Sequence, residues 1–212
     1  MATTAPPPRF SRLEPDTRRD EILAAARRVF VRSSPEDAST SEVAREAGVT
    51  RGLVHHYFGT RRELYLAVVA DLAATLPDLV RTDVSELPVE EMVDANVRSW
   101  LDSIERDRDL WMALLGVGQL GRDPEIEAIM SEARDRVIER MTANQARGAE
   151  PTDELRTVLR IFLGAAEAGA REWAVYGRAS REQVHAVLRG TLLAMVGQVL
   201  PRVPTRGAPG AP

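Results

Sequence analysis

The side chains best suited to proton transfer or metal binding are scarce in this sequence. It contains no cysteine and only three histidines, His55, His56 and His185. The absence of cysteine excludes disulfides and thiolate metal sites. Adjacent side chains on a helix point about 100° apart, so His55 and His56 are poorly placed to hold one ion. Acidic pairs such as Glu90–Glu91 are typical of solvated helix ends. We therefore predict no catalytic group, no metal site and no cofactor.

Arginine supplies the other side chain with directional chemistry. All 28 basic residues are arginine, because lysine is absent, and the whole chain carries a formal net charge of −4. That balance alone argues against a nucleic-acid partner. The first 65 residues, however, hold eleven arginines and nine acids, a net charge of +2, whereas the remainder has a net charge of −6. The front of the chain is therefore the part suited to an anionic partner, because guanidinium groups bind phosphate and guanine edges.

Apolar residues recur at helical spacing along most of the chain, and no segment shows the alternation of a strand. The sequence therefore predicts an all-α fold of about nine helices. Internal prolines and polar stretches divide the chain. We predict disordered tails at 1–14 and 201–212, a helix-turn-helix domain at 15–62, and a helical ligand-binding and dimerisation domain at 63–200. No apolar run approaches the ~18 residues of a membrane span. Residues 1–9 lack a signal-peptide core, so we expect a cytoplasmic protein without membrane contact.

Two short predicted helices joined at Gly48 make the most specific local pattern. Ser39 and Thr50 are placed to cap them, and Gly48 can adopt a left-handed turn without steric cost. Ala44 is small where the helices should cross. The apolar wedge between the helices is supplied by Val43, Val49 and Val54. This arrangement predicts a helix-turn-helix whose second helix meets the major groove of DNA.

The stretch from Ser39 to Leu64 resembles the TetR family of bacterial transcriptional regulators. Three positions depart from the usual family pattern: Ser41, Leu53 and His55. These departures leave the operator sequence unspecified. The residues that carry the resemblance are Ser39, Val43, Ala44, Ala47, Gly48, Val49, Thr50, Gly52, Val54, Tyr57, Phe58, Arg61 and Leu64.

The resemblance implies specific contacts with DNA. Arg51 is suited to a bidentate contact with a guanine edge or a phosphate, and the two adjacent histidines are suited to donate to phosphate or base. Arg61 stands where the family places a cation against the DNA backbone. The predicted DNA-binding residues are Ser39, Thr50, Arg51, Gly52, His55, His56, Tyr57 and Arg61.

The resemblance also implies that the larger half of the chain binds a small effector and forms a dimer. All three tryptophans lie in that half, and aromatic side chains suit apolar ligand pockets. Glu167 and Arg171 are spaced to pair with each other on one helix. The predicted pocket residues are Asn96, Trp100, Trp111, Leu115, Met130, Phe162 and Trp173.

Small and apolar residues on the last two predicted helices suggest the dimer interface. The last helix is apolar on more than one face, and both faces must be buried. A partner subunit is the economical way to bury the second face. The predicted interface residues are Gly164, Ala168, Leu188, Leu192 and Met195.

Together these patterns predict a homodimeric transcriptional regulator that is not an enzyme. The leading hypothesis is a repressor that binds a palindromic double-stranded operator and is released by a small apolar or amphipathic effector. Two alternatives are a DNA-binding dimer without an effector and, less favoured, a helical enzyme.

Overall fold

The computed structural model describes residues 15–32, 38–81, 83–84, 86–106, 108, 111, 123–143 and 151–205. These residues form α-helices and short 3-10 and π-helical turns, and no strand occurs in the described ranges. The predicted all-α fold is confirmed. We number the eight α-helices of the described residues as α1 Pro15–Arg32, α2 Thr40–Glu46, α3 Arg51–Phe58, α4 Arg61–Ala74, α5 Val89–Arg106, α6 Pro124–Ala143, α7 Asp153–Ala170 and α8 Arg181–Ala194.

The chain divides into two compact units, residues 1–68 and 69–212, so the division falls within α4. The sequence placed the boundary earlier, between residues 62 and 63. At the start of the predicted tail 201–212, Leu200–Arg202 form a 3-10 turn.

The first unit is built from α1 to α3 and the start of α4. The inward face of α1 is fully buried at Ile22, Ala26 and Val29. Two salt bridges tie α1 to α2, because Arg28 and Arg32 both bind the carboxylate of Glu46, at 2.8 and 3.0 Å. These hydrogen bonds and charges lower the pKa of Glu46. Arg28 and Arg32 therefore support the packing of α1 against the helix-turn-helix.

The second unit packs α5 against α8, α6 against α7, and α7 against α8. The α7–α8 contact is close at Gly169, where an added Cβ would lie 3.1 Å from Cγ1 of Val184. His185 of α8 lies 3.0 Å from the carboxylate of Asp94 on α5, and Arg181 pairs with Asp102. These contacts hold the helices around a central space.

Two π-helical turns interrupt the regular helices of this unit. One, Arg171–Val175, follows α7, and the other, Met195–Val199, follows α8. The first is closed by a hydrogen bond from the Tyr176 amide to the Arg171 carbonyl at 2.9 Å. Such turns shift the phase of the side chains that follow them, and they are frequent at functional sites.

One helical stretch, Arg181–Arg202, is long and apolar enough to cross a membrane by length and composition alone. This test averages hydropathy over a window that admits charged residues, so it differs from the uninterrupted apolar run considered from sequence. The most apolar window of the stretch has a mean hydropathy of 1.3, and only 17% of that window is buried. The stretch packs one face into the second unit through Val184, Leu188 and Leu192, and its other face is exposed.

Candidate DNA interface and effector cavity

The helix-turn-helix is fixed by side-chain caps and one glycine turn. The Ser39 hydroxyl accepts a hydrogen bond from the Glu42 amide at 3.1 Å, and the Thr50 hydroxyl accepts one from the Leu53 amide at 3.3 Å. Both caps satisfy amides that the start of a helix leaves without partners. Gly48 has a φ of 65°, as its turn position requires. The local sequence thus determines the start of each helix.

Helix α3 has one buried face and one exposed polar edge. Val54 and Phe58 pack into the unit, with exposures of 1% and 7%. The exposed edge consists of Arg51, Gly52, His55 and His56. Among the other predicted DNA-binding residues, Ser39, Thr50 and Arg61 are exposed and Tyr57 is half-buried.

His55 is engaged with the protein through both ring nitrogens. Its Nδ1 lies 2.7 Å from the carbonyl oxygen of Gly59. A carbonyl only accepts, so Nδ1 carries the hydrogen. The Nε2 atom then accepts a hydrogen bond from Nε of Arg51 at 3.2 Å. Both ring nitrogens of His55, which the sequence predicted as donors to DNA, therefore have partners within the protein, and the contact at Nε2 orients Arg51.

The Nε atom of Arg51 is engaged within the protein, and its two outer Nη nitrogens remain accessible. Its Nε is engaged by His55, and within the described part of the chain neither Nη atom has a hydrogen bond or ion pair. Those two Nη groups form the fork that binds a guanine edge or a phosphate bidentately. The sequence identified Arg51, but the contact that orients it appears only in the structure.

The segment after α3 is locked by a reciprocal cap at the start of α4. The Thr60 amide donates to the Glu63 carboxylate at 2.6 Å, and the Glu63 amide donates to the Thr60 hydroxyl at 3.2 Å. The hydrogen bonds from Thr60 lower the pKa of the Glu63 carboxyl. Glycine is required at position 59 because its φ of 69° is strained for any other residue; an added Cβ would also push aside the Glu63 carboxylate, whose Oε2 would lie 2.4 Å away. This cap places Arg61 in the exposed first turn of α4.

The second unit contains a cavity of about 750 Å³, within the ~300–1,000 Å³ typical of small-molecule sites. Its walls come from α5 to α8 and from the 3-10 turn Leu76–Leu79, and its lining is mostly apolar. The rings of Trp100 and Trp111 meet edge to face, with centroids 5.7 Å apart. The cavity has the size and surface of a site for an organic ligand.

Five of the seven predicted pocket residues line this cavity: Asn96, Trp100, Trp111, Met130 and Phe162. Asn96 is occupied structurally, since its amide accepts from the Arg81 backbone and donates to the Met92 carbonyl.

The other two predicted pocket residues do not line the cavity in the described structure. Leu115 lies outside the described residues. Trp173 does not face the cavity, because it falls in the π-helical turn that begins at Arg171, where Ala174 takes the buried position at 2% exposure. The regular 3.6-residue period used to place Trp173 does not hold through that turn.

At the charged end of the cavity, sequence reasoning considered Glu167 and Arg171 but missed Arg134 and Glu127. Arg134 of α6 binds Glu167 of α7 at 2.9 and 3.4 Å, and binds Glu127 at 3.1 Å. Burial lowers the pKa of Arg134, but the hydrogen bonds and charges of Glu167 and Glu127 together outweigh it and raise the pKa above its ordinary value. The expected Glu167–Arg171 pair is long, at 3.9 Å. The available signal was that Glu127 and Arg134 share the helical stripe of Met130, Val137 and Met141.

The predicted interface residues fall into two groups. Gly164 and Ala168 of α7 are exposed, and Met195 is half-buried. Leu188 and Leu192 are buried at 2% and 6%, and both line the cavity of their own protomer. The sequence placed them on the wrong face of α8. The exposed face of α8 instead carries Ala186, Val187 and Gly190.

The first unit is a helix-turn-helix with a polar recognition edge, and the second is a helical unit with a ligand-sized cavity. This combination is that of a DNA-binding transcriptional regulator rather than an enzyme.

Comparisons with known proteins define the family. Residues 22–68 match the family described as bacterial regulatory proteins, tetR family. Residues 89–195 match the tetracyclin repressor-like C-terminal domain. The transcriptional repressor AcnR of Corynebacterium efficiens is 30% identical over 154 residues, which are 71% of this chain and 78% of AcnR. The chain belongs to the TetR family.

Two solved structures show the same fold. A TetR-family regulator from Streptomyces coelicolor has a TM-score of 0.71 and 22% identity, covering 90% of this chain and 87% of that one. Thermus thermophilus FadR, solved with lauroyl-CoA, has a TM-score of 0.60 and 24% identity, covering 91% of this chain and 100% of that one.

Proposed function

We propose that this regulator is a homodimeric repressor that binds a palindromic operator through α3 and is released by an amphipathic effector in the cavity of the second unit. The observation that carries the DNA-binding part is the exposed edge of α3, where Arg51 presents both Nη groups. AcnR, which aligns with most of this chain, is named a repressor. Such a regulator acts in the cytoplasm, where it meets the chromosome.

The contacts divide into those that set the register on DNA and those that read bases. Arg51 is the base-reading side chain, since its free fork matches the O6 and N7 acceptors of guanine. The Thr50 hydroxyl and the exposed Arg61 guanidinium are suited to the flanking phosphates, together with Ser39 and Tyr57. His55 acts through Arg51. Gly52 gives α3 a surface without a side chain beside Arg51, which permits a close approach to the groove.

The dimer is formed by the exposed faces of α7 and α8. Ile161 and Val187 are exposed by 61% and 63% in the single chain. Around them lie Gly164, Ala168 and Gly190, and nothing lies within 4 Å of a Cβ added at either glycine. Small residues allow helices to approach closely, so this face is suited to packing against its own copy. Burial of this face in a dimer explains why the stretch Arg181–Arg202 is apolar, and no membrane is needed to explain it.

Two-fold symmetry then determines the form of the operator. Two copies of α3 reach successive major grooves, about 34 Å apart, when the half-sites form a palindrome. An effector that prefers a conformation with another spacing shifts the population away from DNA. Ligand binding in this fold has a precedent in FadR with lauroyl-CoA.

The test uses a DNA duplex selected from a random library with the wild-type protein. We expect Arg51→Ala to weaken binding by about five- to hundredfold, because one bidentate base contact contributes about 1–3 kcal/mol. His55→Ala should give a smaller loss of DNA affinity, because it releases the Arg51 side chain without removing it. The control is Arg106→Ala, which removes the same charge from an exposed side chain in the last turn of α5, in the other unit.

Binding by Arg51→Ala equal to that of the wild type, with the dimer still folded, would contradict the assignment of α3. An equal loss in the Arg106→Ala control would show that overall charge, rather than the recognition edge, governs the affinity.

A further inference from the structure

The cavity of the second unit has one charged end and one apolar end. Along α6, the lining residues run from Glu127 and Arg134 to Val137 and Met141. Arg134 and Met141 are seven residues apart, roughly 10 Å of helix at 1.5 Å per residue. Since α6 and α7 are antiparallel, Leu155 of α7 joins Met141 at the apolar end. Within the described lining, a ligand that fills the cavity therefore meets charge at one end only.

Among the described residues, the charges sheltered from solvent at this end do not balance. The side chains of Arg134, Arg171 and Glu167 are exposed by 22%, 25% and 25%, whereas Glu127 is exposed by 69%. Solvent screens the charge of Glu127 more strongly than the others. Two sheltered guanidinium groups thus share one sheltered carboxylate. The remaining acid of the lining, Asp123, accepts a hydrogen bond from the Glu125 amide at the start of α6 and offsets the positive end of that helix.

Arg171 is the under-satisfied member of this group. Arg134 takes both carboxylate oxygens of Glu167 at 2.9 and 3.4 Å, so Arg171 keeps one ion-pair contact among the described residues, at 3.9 Å from Glu167. The Nε of Arg171 is buried and has no hydrogen-bond partner among the described residues. A buried donor without a partner is costly, and a ligand acceptor would remove that cost.

The backbone at Arg171 is also specialised. Arg171 begins the π-helical turn after α7. Arg108 stabilises this turn from outside the helix, donating to the Ala174 carbonyl at 2.5 Å. A π-helical turn at a cavity-lining charge is the kind of irregularity that recurs at binding sites.

We propose that the effector is an amphipathic carboxylate whose anionic head binds Arg171 beside the Arg134–Glu167 pair and whose apolar body lies between Trp100 and Met141. This inference rests on the proposed effector role of the cavity and specifies the chemistry of the ligand. The Arg171 fork binds the carboxylate bidentately, and Nε gains the partner that it lacks. The apolar body buries the aromatic and aliphatic lining away from water.

The experiment compares three probes with ten-carbon chains: decanoate, 1-decanol and decyltrimethylammonium, each at monomeric concentration. Tryptophan fluorescence reports binding, because Trp100 and Trp111 line the cavity. The protein carries Trp173→Phe to remove the tryptophan that does not line it. The variants are Arg171→Gln and, as a matched control, Arg178→Gln, an arginine exposed by 68% that pairs with Glu172 outside the cavity.

We expect the background protein to bind decanoate roughly ten- to hundredfold more tightly than decanol, the range expected of a charge-assisted hydrogen bond. Arg171→Gln should remove this preference while leaving decanol affinity unchanged, and Arg178→Gln should retain it. Equal binding of decanoate and decanol, or a preference that survives Arg171→Gln, overturns the inference.

The outcomes also separate this inference from the proposed function. Tighter binding of decanol or of the ammonium probe overturns the carboxylate head but supports a ligand-binding cavity. Failure of all three probes, with the selected duplex still bound, overturns the inference and leaves the DNA-binding function intact.

Discussion

Gly52 offers a sharp test of the recognition edge, because stability and DNA binding should change in opposite directions. Gly52 lies in α3 with an ordinary helical φ, and the nearest atom to an added Cβ is the Thr50 hydroxyl at 3.9 Å. Gly52→Ala therefore introduces no clash within the protein. Because glycine is a poor helix former, the substitution should raise the free energy of unfolding by about 0.5–1 kcal/mol.

The same methyl group should impair DNA binding. It projects from the exposed edge beside Arg51, where it would hold the helix away from the base pairs. Loss of one base contact of about 1–3 kcal/mol weakens affinity by about five- to hundredfold. Chemical denaturation measures the first effect, and titration of the selected duplex measures the second.

Gly48→Ala is the matched control for Gly52→Ala. It adds the same methyl group in the same motif, with nothing within 4 Å of its Cβ, but at a φ of 65°. It should cost about 1–2 kcal/mol of stability and leave the DNA affinity of the folded protein unchanged. Wild-type affinity in a stabilised Gly52→Ala variant would refute the close approach of α3, and a destabilised Gly52→Ala variant would refute the backbone argument.

Two further predictions concern the dimer and pH. Val187→Arg should convert the dimer to a monomer in analytical ultracentrifugation, because it places a charge in the apolar face of α8. The control Leu87→Arg, at another exposed apolar site, should remain dimeric. A Val187→Arg variant that remains dimeric would exclude this face as the interface. The pKa of Glu63 is lowered in the folded state, so its contribution is present above the unfolded value of about 4.5 and is lost as pH falls through the folded pKa. The free energy of unfolding of Glu63→Gln should thus be lower than that of the wild type at pH 7. This difference in stability should shrink at pH 3. A difference that stays constant with pH would contradict the cap.

Much of the first unit could be predicted from sequence because its determinants are local. A cap or a glycine turn depends on residues three or four apart, so Ser39, Gly48 and Thr50 specify the helix ends before any tertiary contact forms. Arg51 was predicted as a DNA contact from its side-chain chemistry and its place at the start of the second helix of the motif. The role of His55 could not be predicted, because its residue type is suited equally to DNA contact and to orienting Arg51.

The second unit was harder to predict because its site is built between helices. The periodicity identified Trp100, Met130 and Phe162 as inward-facing, and the structure places all three at the cavity. Periodicity failed for Trp173, because a π-helical turn changes the direction in which the following side chains point. It failed for Leu188 as well, because a helix that is apolar on two faces does not show which face points inward.

The sequence by itself determined the helical fold, the helix-turn-helix and the family, because these depend on short-range spacing and on residue identity. Only the tertiary structure decided which polar groups remain without partners. Arg134 takes the carboxylate of Glu167 across two helices, and Arg171 is left with a buried donor as a consequence. That competition depends on distances between segments far apart in the chain, which no local pattern encodes.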